Sequence, residues 1–324
     1  MANEIRLVEA IRQALDEEMG RDDSVLVYGE DVGVSGGVFR ATKELRDEHP
    51  DRVYDAPLAE AAILGLGVGL GATGFRPVAE IQFASFVYQG FHQLQQHAAR
   101  LRSRTRGTLG VPMTIRMPYG GGIRALELHS ESFEAGYAHL PGLKTVVPSN
   151  PADAKGLLTS AVRDPDPVVF LEPTSRYRAS RESVPEGEHT VPLGEANVVR
   201  EGEDVTVVAW GAMLAEALSA VDDGDLDADA EVVDLRTVSP MDSKTILNSV
   251  RKTGRCVVVH EAPRTAGLAA EIIARINDDA LYYLEAPVER VTGYDVPFPL
   301  FAREEAYRPD AERIRRGIER ALSR

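Results

Sequence analysis

The sequence predicts an α/β protein of two doubly wound domains, residues 1–172 and 195–324, joined by a linker at 173–194. Three observations predict it. Short apolar runs of strand length alternate with longer helical patterns through both blocks, the order expected of a mainly parallel sheet covered on both faces. The alternation lapses over 173–194, where Pro173, Pro185, Gly187 and Pro192 stand among scattered charges. And 324 residues are enough for two domains of about 100–200 residues each.

The elements follow in order. Ile5, Val8, Ile11, Ala14 and Leu15 fall on one face of an opening helix, and Val25 to Tyr28 is a buried strand running into a loop at Gly29-Glu-Asp31. Leu58 to Gly74 is helical and rich in small residues. Pro77 to Phe83 reads as a strand, and Phe86 to Arg104 as a long helix with Phe91, Leu94 and Ala98 on its core face. Met113 to Arg116 is a strand ending in the glycine turn Tyr119-Gly-Gly-Gly122, and Leu143 to Val147 is another. Asn150 and Pro151 supply an N-cap and a first-position proline for a helix reaching Val162, and Val168 to Leu171 closes the first block. The second block repeats the theme. Strands are expected at 205–209, 231–234, 256–259 and 288–291, and helices at 212–221, 242–250, 268–276 and 310–322. The acidic stretch Asp222 to Asp229 is expected to be a solvated loop.

Composition excludes several functions. With 51 acidic against 36 basic side chains the net charge is -15, which opposes nonspecific binding to nucleic acid or an anionic membrane. The lysines are only Lys43, Lys144, Lys155, Lys244 and Lys252; this bias suits a salt-adapted host and GC-rich codon usage alike. Cys256 is the single cysteine, so neither an internal disulfide nor a cysteine-rich zinc site is available, and a reducing, cytoplasmic location is expected. Met1 to Glu9 is charged and lacks the apolar core of a signal peptide. Leu58 to Phe75 carries Glu60 and many glycines, and falls short of the roughly 20 bulky apolar residues of a membrane span.

Gly69-Leu-Gly71-Ala-Thr-Gly74 matches a dinucleotide-binding string, but that string must follow a strand and open a helix. Here it closes a helix and precedes a strand, which speaks against nicotinamide or flavin. Gly65 with Gly69, and Gly67 with Gly71, instead leave a helix face without bulk, suited to a tight helix–helix contact, including one between subunits. Glu60 opens an apolar helical run. Its plain reading is an acid at a helix N-terminus, worth about 0.3–1 kcal/mol. Its functional reading is a carboxyl group kept in an apolar pocket and suited to sharing a proton. His129 follows the glycine turn, and on its own is an ordinary loop histidine. No zinc-helix, nucleophile-elbow or phosphate-loop motif is present.

Several strings taken together resemble a known family. They are Gly29-Glu-Asp-Val-Gly33, Arg52-Val-Tyr-Asp-Ala-Pro-Leu-Ala-Glu60, Arg76-Pro-Val-Ala-Glu-Ile-Gln-Phe83, His129-Ser-Glu-Ser132, Pro141-Gly-Leu-Lys144, Arg163-Asp-Pro-Asp-Pro-Val168, Asp234-Leu-Arg-Thr237 and Pro297-Phe-Pro299. The chain is similar, over essentially its whole length, to beta subunits of the decarboxylating component of pyruvate and branched-chain 2-oxoacid dehydrogenase complexes.

That resemblance implies a thiamine-diphosphate pyrimidine-binding domain followed by a transketolase C-terminal-like domain. It implies an oxidoreductase that decarboxylates a 2-oxo acid and passes the acyl group to a lipoyl disulfide. Glu60 matches the acid that hydrogen-bonds the aminopyrimidine ring, and Leu58, Gln82 and Phe86 match positions lining the same pocket. Phe86 stands where relatives often carry Tyr, and Glu131 where Gln is common. His129 matches a histidine used in passing the acyl group to the lipoyl arm. Met113, Ala161, Val162, Asp164 and Asp166 match a structural potassium site built largely from backbone carbonyls. The Gly-Asp-Gly motif that fixes magnesium and the diphosphate in single-chain thiamine enzymes is missing. The resemblance therefore implies an alpha subunit that holds Mg2+ and the diphosphate, an alpha2beta2 heterotetramer, and a lipoyl acyltransferase core. An acetoin dehydrogenase beta subunit and a noncatalytic assembly subunit of the same fold are the alternatives.

Overall fold

The computed structural model describes residues 2–222, 224 and 226–324. Met1, Asp223 and Asp225, from the N-terminal stretch and the acidic loop named above, lie outside the described residues. In the first block the strands are β1 (Ala2–Ile5), β2 (Val25–Gly29), β3 (Val53–Asp55), β4 (Arg76–Glu80), β5 (Thr114–Tyr119), β6 (Lys144–Val146), β7 (Val168–Pro173) and β8 (Glu182–Pro185). Its long helices are α1 (Leu7–Arg21), α2 (Glu60–Ala72) and α3 (Pro151–Arg163). The second block holds β9 (Asn197–Arg200), β10 (Val205–Ala209), β11 (Ala230–Asp234), β12 (Thr237–Ser239), β13 (Cys256–Pro263) and β14 (Glu289–Gly293). With them are α4 (Ala212–Asp222), α5 (Ser243–Thr253), α6 (Leu268–Asp279) and α7 (Ala311–Leu322).

Two sheets form the cores. One runs β12-β6-β7-β5-β4-β2-β3 and the other β14-β13-β10-β11-β9. Apart from β12 and β9, which pair antiparallel at an edge, the neighbours in both sheets are parallel. Every residue of β5, β7, β10 and β11 is buried, as strands covered on both faces require. Helix α1 buries Val8, Ile11, Leu15 and Met19 against α3, in one cluster with Leu157 and Leu158. Asn150 caps α3 by accepting from the Asp153 N–H at 2.8 Å, with Pro151 at the first position. Cys256 is buried, and burial pushes its thiol up to about 12. No described helix is long and apolar enough to cross a membrane.

The structure departs from expectation in four places. Residues 86–104 are not one helix but a 3-10 turn at Ala84–Gln89, a π-helix at Gln93–Ala98 and a short helix at Leu101–Arg104. Gly90 is the reason: a Cβ there would stand 2.5 Å from Leu64 Cδ1 and 2.9 Å from the Glu60 carbonyl oxygen. The chain breaks step to pass that close to α2. The small face of α2 meets a helix only in part. Gly65 lies against Gln93 of that π-helix, whereas Gly67 and Gly71 lie against Met113 and Val111 at the entrance to β5, and Gly69 faces open space. The segment 173–194 is not a free linker, because β8 pairs with β1 and Val191 N–H bonds to the Gly156 carbonyl. Finally β12, from the second block, completes the edge of the first sheet, so one strand crosses the division drawn from composition.

Between the domains Glu134 is 1% exposed. Its Oε1 accepts from the Trp210 indole N–H at 3.4 Å, and its Oε2 has no partner. Burial pushes its pKa up to about 7. A carboxyl group so raised favours the folded state while protonated. That contribution is fully present below its unfolded value of about 4.5 and is lost as pH rises through about 7. Glu134→Gln keeps a neutral group there, so its urea midpoint should exceed the parent's at pH 8 by an amount worth a few kcal/mol. At pH 5.5 most of that gap should close; an equal gap at both pH values would show that Glu134 does not titrate between them.

Candidate functional site

Strands β2, β3, β4 and β5 are parallel, so their C-terminal ends share one edge of the sheet. In open α/β sheets that edge is where ligands bind. Four loops leave it: Glu30-Asp31 after β2, the approach to Glu60 after β3, Gln82-Phe83 after β4, and the loop carrying His129 after β5.

Glu60 is the first residue of α2, where the helix dipole favours a negative charge. It is 5% exposed, and its Oε2 is buried with no hydrogen-bond partner. Buried carboxylate oxygens are nearly always paired, so this one is a vacancy for a donor. Glu30 is half-buried beside it. Burial raises the Glu30 pKa, and the charges of Asp31 and Glu60 raise it further. Gln82 Nε2 donates to Asp31 Oδ2 at 3.4 Å, which ties β4 to the same corner.

His129 ends a short turn at Glu127–His129. Its ring packs edge-on against Phe83 at 4.4 Å and Phe86 at 5.1 Å between centroids, and those two rings are 5.4 Å apart. Its Nδ1 is buried without a partner. The three rings form an apolar wall with one imidazole nitrogen left without a hydrogen bond. Glu131, two residues on, accepts from the Tyr88 hydroxyl at 3.3 Å. Burial and the Glu131 charge push that hydroxyl up to about 12, so it stays a donor. Leu58 is 71% exposed and closes nothing within this chain.

The residues singled out from sequence thus fall into two contacts. Phe86 and His129 meet directly, and Gln82 joins the Glu30–Asp31 loop next to Glu60. Glu30, Phe83 and Tyr88 went unnoticed as individual residues. Glu30 and Phe83 sit just past strand ends, which is the signal that would have found them. A cavity of about 640 Å³ opens nearby between the domains, lined by Glu131, Phe133, Glu261, Phe298 and Tyr307 among others. It contains neither Glu60 nor His129, which lie instead in the loops at the strand ends.

Oxygens of the five candidate cation residues already have partners. The carbonyls of Val162 and Asp164 accept from the Arg76 guanidinium at 2.9 and 3.2 Å. Those of Met113 and Ala161 accept from the backbone N–H groups of Val168 and Asp164. The Asp164 carboxylate pairs with Lys144 at 2.5 Å, and that of Asp166 with Arg102. Each carbonyl keeps a second lone pair, and oxygen donors of this kind fit a monovalent cation.

The fold has counterparts among known proteins. Residues 3–180 match the family described as transketolase, pyrimidine binding domain, and residues 194–314 match transketolase, C-terminal domain. A pyruvate dehydrogenase E1 component subunit beta from Bacillus subtilis is 52% identical over 309 residues, covering 95% of each chain. One from Acholeplasma laidlawii is 50% identical over 312 residues, covering 96% of this chain and 95% of that one. Among solved structures, a split gene transketolase described as an inactive beta4 tetramer superposes with a TM-score of 0.79. It is 25% identical and covers 99% of both chains.

Proposed function

The chain belongs to the family of pyruvate dehydrogenase E1 beta subunits, built from transketolase-type domains, and from that premise we propose that it supplies the pyrimidine half of a shared thiamine-diphosphate site. An alpha subunit supplies the magnesium and diphosphate half, in an alpha2beta2 assembly docked on a lipoyl acyltransferase core. The reaction is oxidative decarboxylation of a 2-oxo acid, pyruvate ahead of branched-chain substrates, with transfer of the acyl group to a lipoyl disulfide. The observation that carries this reading is the buried, unpartnered Oε2 of Glu60 at the first turn of α2.

Bound there, thiamine diphosphate supplies the electron sink that lets carbon dioxide leave. This chain's residues do the rest. Glu60 would present Oε2, buried and without a partner, to share a proton with the aminopyrimidine ring. Phe83 and Phe86, packed around His129, form the apolar wall that would exclude water from the bound group. His129 offers Nδ1, a nitrogen able to donate or accept, at the edge of the same wall. Gln82 positions the Glu30–Asp31 loop that sets the local charge.

The test is reconstitution with the alpha subunit. The purified chain alone should be inactive, and the pair should decarboxylate pyruvate only with thiamine diphosphate and magnesium. Rates on 2-oxoglutarate, branched 2-oxo acids and acetoin then fix the substrate; a preference for acetoin would assign the sister dehydrogenase. Activity of the chain alone, or thiamine held by it without the alpha subunit, would refute the shared site.

We propose in addition that Met113, Ala161, Val162, Asp164 and Asp166 hold a potassium ion through the remaining lone pairs of their oxygens. The Arg76 guanidinium beside two of them weakens such a site, so its effect is modest. Replacing potassium with tetramethylammonium at constant ionic strength should lower Tm by about 2–4 °C; an unchanged melting curve would remove the ion from the proposal.

A further inference from the structure

We propose that Glu261 and Glu304, in the second domain, are positioning residues for His129, acting through the glycine turn Gly120–Gly122. The inference rests on the reading of His129 as the group that serves acyl transfer.

The turn leaves the end of β5, and its backbone is pinned from both domains. Gly121 N–H donates to Glu261 Oε1 at 2.5 Å, and Gly122 N–H donates to Glu304 Oε1. From the first domain, Thr174 Oγ1 donates to the carbonyls of Gly120 and Gly121 at 2.9 and 3.2 Å. Glu261 and Glu304 are 5% and 1% exposed. Glu304 Oε2 has no partner, so the Gly122 amide is the hydrogen-bond partner that its burial secures. Arg308 lies 3.3 Å from Glu261 and steadies that carboxylate. The backbone at Gly120 and Gly122 is left-handed, with φ of 75° and 102°. The second domain also closes over the turn sterically: a Cβ on Gly121 would stand 2.5 Å from Phe298 Cζ.

The turn is the root of the loop that carries His129. Gly120 N–H donates to the Glu131 carbonyl at 3.2 Å, so residues 120–131 form a closed loop with His129 near its returning end. Within the loop, the N–H groups of His129 and Ser130 bond back to the carbonyls of Leu126 and Glu127, which shapes the tip but does not tie it to either domain. Leu126 and Leu128 are 54% and 50% exposed, so its own apolar side chains add scant packing. The position of His129 is therefore set by the ring contacts with Phe83 and Phe86 and the Tyr88–Glu131 bond on one side, and on the other by the root of the loop, with an exposed Arg124–Glu305 pair beside it. Two of the bonds at that root end on carboxylates of the other domain. A loop so anchored turns with the second domain, and movement between the domains shifts His129 relative to Phe83.

The experiment uses the reconstituted alpha–beta enzyme and two readouts. One is decarboxylation coupled to ferricyanide, which needs no lipoyl group; the other is acyl transfer to a lipoyl domain. Glu304→Ala should lower acyl transfer by about 10- to 100-fold, as expected when a catalytic group is displaced by an ångström or so, and leave ferricyanide-coupled decarboxylation within about threefold. Glu304→Gln keeps an acceptor oxygen and should restore acyl transfer to within about threefold of the parent. Gly121→Ala, which forces the turn off Phe298, should show the same split if Glu304→Ala does not fold. Equal losses in both readouts, or no loss in either, would overturn the proposal. His129→Ala separates the two claims. If it leaves acyl transfer intact, the reading of His129 falls; if it impairs acyl transfer while Glu304→Ala and Gly121→Ala do not, only the anchoring falls.

Discussion

In the reconstituted enzyme Glu60→Gln should lower kcat by roughly 100- to 10,000-fold, the range spanned by loss of a positioned acid–base group. An amide can fill the same space but cannot hold and release a proton at Oε2. The loss should come without loss of the fold. Glu60 Oε2 has no bond inside this chain to forfeit, and exchanging a buried carboxylate for an amide relieves a desolvation cost. Tm should therefore stay level or rise slightly. The swap also reaches Glu30, whose pKa the Glu60 charge helps to raise, so that group should titrate at lower pH in the variant. Steady-state rates with ferricyanide and one melting curve suffice. Full activity in Glu60→Gln would favour a noncatalytic assembly subunit, and a collapsed Tm would mean that Glu60 is structural.

How far these residues announced themselves follows from the range of the interactions involved. The alternation of strands and helices is local, and the cap of α3 is readable because Asn150 and Pro151 act within one turn. The reversed setting of the glycine string at 69–74, closing α2 rather than opening a helix, is legible because it is also local. By contrast β12 is three residues long and pairs with Thr145 and Val146 of β6, far away in sequence. The interrupted segment at 84–104 depends on the Glu60 carbonyl, thirty positions away from Gly90 along the chain. Glu60 stood out as an acid opening an apolar run. His129 did not, since its setting comes from rings at 83 and 86 and from a turn held by Glu261 and Glu304. Those contacts have no periodicity for a reader of sequence to follow.

The largest stability effect should come from Arg116, which is fully buried in the middle of the first sheet. Its Nε and Nη2 donate to the two oxygens of Glu172 at 2.7 and 2.9 Å, and Nη1 donates to Glu80 at 2.8 Å. One guanidinium thus bridges β4, β5 and β7 and serves two buried carboxylates. Arg116→Met would leave both uncompensated and should cost about 3–5 kcal/mol, read as a lower urea midpoint. The deficit should depend on pH. Burial already raises the Glu80 pKa, while Arg116 lowers it; without Arg116 it must climb further. A carboxyl group raised in the folded state regains stability as pH falls through its folded value, so the gap from the parent should narrow between pH 8 and pH 5.5. Adding Glu80→Gln and Glu172→Gln to Arg116→Met should recover much of the loss, because a neutral trio has no buried charge left to solvate. The effect should also reach the site. Tyr177 donates to Glu172, its ring lies 5.0 Å from Phe39, Phe39 is 5.6 Å from Phe83, and Phe83 is 4.4 Å from His129. If the triad sets that line of rings, the rescued triple variant should fold well yet keep a defect in acyl transfer; if it regains full transfer with its stability, the triad serves the sheet alone.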